Sequence, residues 1–225
     1  YYDPELLKME SAVKAFPNGW APLLEMAKIV TDGDHLKRNY VEKGVLFLTS
    51  ENFQEHFIDF ESELRIPPAY ERTLSRARSE PGAVFLTKTG KWYGKAAVCR
   101  TNDPVFNISA DVAKILLRPE YDPFFLACYL NSSIGYSLVR RESTGASRDR
   151  IVLDNLRSLP VPIVRNTELK YRVIVDRISE AHIRAAYLYA QAEALLLEEL
   201  GLEKLDLAPS LFYERPYHDV VAARR

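Results

Sequence analysis

The segment from about Thr167 to Leu200 constrains the fold most, because its apolar residues recur at alternating steps of four and three. At roughly 1.5 Å per residue this spacing predicts one helix of about 50 Å, and Gly201 supplies its stop. The predicted seam consists of Ile174, Ile178, Ala181, Ala185, Leu188, Ala192 and Leu195. A narrow seam of this length is typical of a coiled coil, so we expect a partner helix. A helix folded back on its own domain is the alternative.

The residues before this helix follow a different pattern, in which short apolar runs alternate with turns. Runs typical of strands lie at 45–49, 83–87, 95–99, 112–118 and 161–164, and the segment 123–139 has helical spacing with a polar break at 131–133. The expected fold class is α+β, with a mixed αβ globular domain before a long C-terminal coiled-coil helix. The predicted boundaries are a lead-in helix at 1–19, the globular domain at 20–165, the long helix at 166–201, and a strap or linker at 202–225.

The charges balance, which limits how this chain can bind nucleic acid. The sequence has 30 Lys and Arg against 31 Asp and Glu, so no overall basic field is present and any DNA contact must come from local patches.

No apolar run approaches the roughly 18 residues that a membrane span needs, and the start does not resemble a signal peptide, so a cytoplasmic protein is expected. Cys99 and Cys128 are expected to be buried reduced thiols.

The motifs of the obvious enzyme classes are missing. Residues 66–70 read Ile-Pro-Pro-Ala-Tyr and lack the polar first residue of an adenine methyltransferase tetrad. Residues 168–170 match the Glu-x-Lys of metal-dependent nucleases but open the predicted helix. The four histidines have no ligand at metal-site spacing, and Lys88-Thr89-Gly90-Lys91 lacks the frame of a phosphate loop. We therefore expect a non-catalytic protein without a metal or cofactor.

Two stretches depart from the neutral average and are suited to DNA. The stretch 87–95 places lysines around two aromatic residues between glycines, and 140–150 interleaves arginines with small hydroxyl side chains. Such side chains contact phosphates, and arginine can bond guanine through two parallel hydrogen bonds. The predicted contacts are Lys88, Thr89, Lys91, Trp92, Tyr93, Lys95, Arg140, Arg141, Ser143, Thr144, Ser147, Arg148 and Arg150. Solvated surface turns are the alternative for both stretches.

In their order along the chain, four segments resemble the specificity subunits of type I restriction-modification enzymes. They are TDGDHLKRNYVEKGVLFLTSENF at 31–53, PGAVFLTKTGKWYGKAAV at 81–98, YDPFFLACYLNSSIG at 121–135 and RESTGASRDRIVLDNLRSLPVPIV at 141–164. The heptad helix follows them, as it does in that family. Two positions depart from the family pattern: Arg148 stands where glutamine is frequent, and Ala83 stands where an acidic residue is expected. Both concern individual DNA contacts rather than the fold.

The resemblance implies a target-recognition domain that reads one half of a bipartite site on double-stranded DNA. Its loops are 31–39, 87–95 and 140–150, which adds His35, Lys37 and Arg38 to the predicted DNA contacts. The long helix pairs with that of a second specificity half, in a homodimer or within one polypeptide, and sets the spacing of the two half-sites. The outer helix face would dock the partner methyltransferase subunits through Arg172, Asp176, Arg177, Glu180, Arg184 and Glu198.

In this interpretation the partner methyltransferase and restriction subunits modify adenine and cleave DNA, and this chain only directs them. The ends suggest one half of a longer arrangement, because VAARR at 221–225 and YYDPE at 1–5 resemble a junction between two halves. Two alternatives remain. The chain could be the specificity part of a fused restriction enzyme-methyltransferase, or a coiled-coil adaptor without a DNA role. The adaptor predicts that 87–95 and 140–150 lie on opposite faces.

Overall fold

The computed structural model of the protein describes residues 3–34, 39–142, 150–164 and 170–202. The helices are α1 Pro4–Lys14, α2 Leu23–Met26, α3 Pro68–Thr73, α4 Pro123–Asn131, α5 Ser133–Arg141, α6 Leu153–Ser158 and α7 Lys170–Glu199. The strands are β1 Trp20–Pro22, β2 Ala27–Asp32, β3 Val45–Leu48, β4 Phe53–Gln54, β5 Phe57–Ile58, β6 Arg65–Ile66, β7 Val84–Thr87, β8 Ala96–Val98, β9 Phe106–Ile108, β10 Val112–Leu117 and β11 Pro160–Pro162. The fold is therefore the expected mixed αβ domain followed by a long helix.

A four-stranded antiparallel sheet in the order β2-β10-β7-β8 forms the frame of the domain. Successive side chains of β7 point to opposite faces, as the pleat requires. Val84 and Leu86 belong to the core that also contains residues of α1, α4 and α5, whereas Phe85 packs with Phe53 and Phe106 in a second core. Both faces of β7 are covered, which explains why its sequence is a continuous apolar run.

A second sheet, in the order β6-β3-β9, pairs β3 and β9 in parallel. The short pair β1-β11 joins the two ends of the domain, because Trp20 lies opposite Pro162 and Pro22 opposite Pro160. Prolines are tolerated at such edges since they cost the ladder few hydrogen bonds. The residues that enter the domain and those that precede the long helix are therefore fixed beside each other.

The segment 123–141 forms two helices with a break where the polar residues predicted it. Asp122 caps α4 by accepting a hydrogen bond from the Phe124 amide at 2.8 Å, and Ser132 caps α5 through the Gly135 amide at 3.1 Å. Asn131, between the helices, binds the backbone of Ala96 in β8 through both its amide oxygen and its amide nitrogen, each at 2.8 Å. The helix break is thereby attached to the main sheet.

The long helix α7 is continuous over residues 170–199, as the heptad spacing predicted. By compactness the chain forms two units, Tyr1–His182 and Ile183–Arg225, so the boundary between them falls inside this helix. Among the described residues, no helix is long and apolar enough to cross a membrane.

Within the first unit, α7 packs on the globular domain through a stripe that lies one position after the predicted seam. Val175 and Ser179 are buried. The ring centroids of Tyr171 and Phe125 lie 5.2 Å apart, and those of His182 and Phe57, which stack, lie 5.4 Å apart. The first three turns of α7 therefore pack against the chain's own domain, as the alternative of a folded-back helix predicted. Ile174 is exposed in the same turns and Ile178 is half-buried, so the predicted seam remains outside the main contact.

Candidate nucleic-acid interface

The loop between β7 and β8 is held in one shape by Thr87. Its hydroxyl accepts a hydrogen bond from the Lys95 amide at 2.9 Å and donates to the Trp92 carbonyl, while the Gly94 amide donates to the Thr87 carbonyl at 2.9 Å. Gly94 has φ +81°, and a Cβ there would lie 2.6 Å from the Tyr136 ring. A positive φ and the absence of a Cβ are both required here, and only glycine supplies both. Gly94 therefore allows the loop to lie directly against α5.

Three side chains of this loop form a cationic and aromatic group at its surface. The ammonium groups of Lys91 and Lys95 lie 5.0 and 4.7 Å from the centre of the Trp92 ring. Lys95 also donates to the side-chain oxygen of Gln54 at 2.6 Å. Because cation–π contact and this hydrogen bond restrict the side chains, the two charges are presented at defined positions. Lys91 is exposed, and Trp92 and Lys95 are half-buried.

Lys88 and Tyr93, also predicted to contact DNA, point inward. Lys88 is 2% exposed and forms an ion pair with Asp32. Tyr93 is buried and its hydroxyl donates to the Val139 carbonyl of α5 at 2.9 Å. Both side chains are internal and hold the loop against its neighbours. The burial of Lys88 and Tyr93 gives them a structural role in place of the predicted DNA contacts.

One end of each of the three predicted loops lies at the same place. The Lys88–Asp32 pair connects the 87–95 loop to the end of β2, where the 31–39 loop begins. Thr89 pairs with Arg150 in an antiparallel bridge, and the Ile151 amide donates to the Lys88 carbonyl at 3.1 Å, which connects the same loop to the end of 140–150. The two basic stretches are thus neighbours, contrary to what the adaptor alternative predicts.

Several predicted contacts lie outside the described residues, namely His35, Lys37, Arg38, Ser143, Thr144, Ser147 and Arg148. The side chain of Thr89 donates to Asp111 at 2.7 Å and is half-buried. Arg140 and Arg150 are exposed. Among the described residues, the predicted cations that reach solvent are Lys91, Lys95, Arg140, Arg150 and, with a side chain 26% exposed, Arg141.

Arg141 differs from its neighbour Arg140 because its charge is compensated. It lies 2.5 Å from Glu10 of α1 and 3.0 Å from Glu142. Burial acts to lower the pKa of Arg141, but the hydrogen bonds that Arg141 donates to Glu10 and Glu142 outweigh it and raise the pKa above its ordinary value. Hydrogen bonds from Lys14 and Arg141 hold the pKa of Glu10 below its ordinary value. Arg141 therefore fixes α1 to α5.

A cleft of about 340 Å³ opens beside this loop and the first turn of α5. Its lining exposes polar and apolar surface in similar amounts and consists of Glu55, Lys91, Tyr93, Gly94, Lys95, Asn131, Ser133 and Tyr136. Within the described ranges, no group of three or more His, Cys, Asp or Glu residues is placed to hold a metal ion. Lys91 and Lys95 give this surface the capacity to bind anions such as phosphate oxygens.

No protein-family model matches the chain, and no curated protein matches it by sequence. Solved structures do match. The S subunit of a type I restriction-modification system from M. genitalium is 14% identical with a TM-score of 0.52, over 85% of this chain and 48% of that chain. The type IIG restriction endonuclease BpuSI is 8% identical with a TM-score of 0.55, over 78% of this chain and 28% of that chain. The HsdS subunit from Thermoanaerobacter tengcongensis is 21% identical with a TM-score of 0.45, over 88% and 48%.

The chain has the fold of about half an S subunit. It spans about half the length of the two S-subunit structures that it matches. At 14% identity the similarity establishes the shared fold and not the function.

Sequence reasoning missed Arg76, which lies beside the joined loops of this S-subunit fold. Its guanidinium donates to the Thr31 hydroxyl at 3.1 Å and to the Gly33 carbonyl at 3.4 Å, and lies 3.6 Å from Asp32. Arg76 belongs to a short 3₁₀ turn at Ser75–Ala77 that is far from β2 in sequence. No local pattern marks it, because only the folded domain brings this turn to the end of β2.

Sequence reasoning also missed how α7 is attached to the domain. Arg100, after β8, donates to Asp176 at 3.1 Å and to Ser179 at 2.7 Å, and Ser179 donates to the His56 carbonyl at 3.1 Å. His56 in turn lies 3.2 Å from the Asn131 amide nitrogen. A predicted outer-face residue, Asp176, is therefore engaged with the chain's own domain.

Proposed function

We propose that this chain is the DNA-reading half of a type I specificity subunit and has no catalytic centre of its own. The observation that carries the proposal is the junction of the three loops at Asp32, Lys88, Thr89 and Arg150. The four-stranded antiparallel sheet supports this junction through β2 and β7, and the exposed cations Arg76 and Arg150 lie at it. Phosphate contacts position such a protein on the duplex, and arginine contacts to base edges supply sequence discrimination.

We further propose that α7 separates two reading halves. Its seam residues Leu188 and Leu195 are 52% and 62% exposed, and every described residue from 183 to 196 is exposed. An apolar stripe of this extent favours burial against a second helix, either of another copy or of a second specificity half. In this proposal the target is bipartite, and partner methyltransferase and restriction subunits dock on the outer face of the helix.

The test is a map of DNA methylation in the host with and without this gene. We expect deletion to abolish methylation at one bipartite sequence, and the gene in trans to restore it. Complementation with R150Q and with K91Q/K95Q should fail or should change the methylated sequence, because an arginine–guanine contact contributes about 1 to 3 kcal/mol of discrimination. The matched control is R118Q, an exposed arginine after β10. An unchanged methylation map after deletion would contradict the proposal.

A second candidate is the specificity part of a fused enzyme. It is favoured by the fold similarity to part of BpuSI, a type IIG restriction endonuclease, at a TM-score of 0.55. The two candidates differ in the polypeptide that precedes Tyr1. A methyltransferase domain on the same polypeptide supports the fused enzyme, and its absence from the gene supports a separate subunit.

A further inference from the structure

Asp32, at the end of β2, is shared by two cations that come from different parts of the chain. Its Oδ2 is paired with Lys88 of the 87–95 loop, and its Oδ1 lies 3.6 Å from an Nη1 of Arg76. The three groups carry two positive charges and one negative charge, so the cluster has a net charge of about +1 at neutral pH. The position of that surplus charge decides what the cluster can bind.

The exposure of the three side chains places the surplus charge at Arg76. The Lys88 side chain is 3% exposed and that of Asp32 is 18% exposed, whereas the Arg76 side chain is 56% exposed. Lys88 is the nearer partner of Asp32 and compensates its charge inside the domain. Arg76 thus keeps a positive charge that faces solvent.

Arg76 is also held in position before any ligand arrives. Thr31 and the Gly33 carbonyl each accept one of its hydrogen bonds. A guanidinium carries five N–H groups in a planar fork, so donors remain for an anion after these two bonds. A side chain that is already ordered loses less conformational entropy on binding than a mobile lysine would.

We infer that Arg76 is a further DNA contact that binds a backbone phosphate beside the loop that begins at residue 31. This inference rests on the function proposed above, because it names an additional residue of the same interface. Lys88 is a positioning residue in this arrangement, since it compensates Asp32 and leaves the guanidinium available. A phosphate contact, unlike a contact to a base edge, acts on every DNA sequence alike.

The experiment measures the salt dependence of binding to a short duplex of random sequence. The purified chain is compared with R76Q, which can keep one polar contact to Thr31 or Gly33 but has no charge. R118Q is the matched control, because Arg118 is exposed, directly follows β10 and lies five residues after Ala113, the β10 partner of Asp32. That separation is about 16 Å. The double variant K91Q/K95Q tests the proposed interface itself.

We expect R76Q to reduce the slope of log K against log salt by about 0.9, the value for one phosphate. Its weakening of binding should then shrink by about 3.5-fold when salt rises from roughly 50 to 200 mM. R118Q should keep the slope of the unmodified chain. A purely structural role of Arg76 would lower thermal stability and leave the slope unchanged, which would overturn the inference.

The failures of the two proposals are distinguishable. If K91Q/K95Q lowers the slope while R76Q does not, the interface stands and Arg76 is not part of it. If the unmodified chain shows no salt-dependent binding to duplex, the proposed function fails and the inference about Arg76 fails with it.

Discussion

The carboxylate of Asp32 connects two of the three joined loops, because it pairs with Lys88 inside the domain. Removal of one partner of a buried pair leaves an uncompensated charge, which costs about 3 to 5 kcal/mol. Arg76 remains near Asp32, so we expect the lower end of this range, about 3 kcal/mol, for K88M in urea denaturation. K91M, an exposed lysine of the same loop, is the matched control and should lie within about 0.5 kcal/mol of the unmodified chain.

A double variant separates the charge effect from simple loss of packing. In D32N/K88M neither charge remains, so part of the stability lost in K88M should return. Additive losses in the double variant would show that the ion pair does not determine the stability of this junction.

His56 gives the domain a predictable pH dependence. Burial lowers the pKa of His56, and the charge of Glu55 opposes this only in part. His56 therefore binds a proton at higher pH in the unfolded chain than in the folded chain. The contribution of neutral His56 to stability is complete above its ordinary pKa of 6.5, and it is lost as the pH falls toward the lowered pKa of the folded chain. Unfolding measured between about pH 8 and pH 5 should show this loss.

The variant H56N should reduce the loss of stability in this pH window. Residue 56 has a φ of +65°, which asparagine tolerates better than most residues, and an amide oxygen can accept the bond from Asn131. The same pH slope in H56N and in the unmodified chain would mean that other groups cause it.

At the scale of elements, α7 carries two different stripes on one helix. Val175 faces the globular domain and is buried, whereas Ile174, one position earlier, is exposed. V175A should lower the free energy of unfolding by about 1 to 2 kcal/mol through lost burial, and I174A should leave it nearly unchanged. Equal losses for the two variants in urea denaturation would contradict the assignment of the stripes.

The exposed seam of α7 predicts a different effect, on association. L188D places a charge at the centre of the proposed helix pair, and an unpaired charge there should abolish pairing. Y189D is the matched control, since Tyr189 is 78% exposed and lies outside the seam. Sedimentation velocity should show a self-associated chain for Y189D and a monomer for L188D. A monomeric unmodified chain would contradict pairing between copies.

Which elements were predictable from sequence depends on how much of each pattern is local. The heptad spacing was sufficient for α7, and the continuous apolar runs were sufficient for β7 and β10. Two stripes one residue apart cannot be separated by periodicity, so the contact through Val175 was not predicted. The pair β1-β11 was also missed in part, because prolines at both ends hide strands that are defined by their partners.

Prediction of the candidate site has a similar limit. Composition was enough to mark the 87–95 and 140–150 stretches, but it could not distinguish the buried Lys88 from the exposed Lys91. Asp32 decides that difference, and it is 56 residues away from Lys88 in sequence. Arg76 was missed for the same reason, since its acceptors are in β2 and the residue after it.

At the scale of the whole molecule, the proposed spacer can be tested by its length. One heptad adds about 10 Å to a helix, or about three base pairs, and three base pairs rotate the face of DNA by about 100°. Three heptads add about 31 Å, or about nine base pairs, which is close to one full turn of DNA. Both insertions keep the seam in register, because each is a whole number of heptads.

We therefore expect different outcomes when residues 187–193 are duplicated once and when they are inserted three times. A single insertion should abolish methylation, because the second reading half meets the wrong face of the duplex. A triple insertion should restore it at a target whose half-sites lie about nine base pairs further apart. Methylation mapping measures both outcomes. A single insertion that leaves the target unchanged would mean that α7 does not set the spacing, since a rigid spacer cannot lengthen without moving the half-sites.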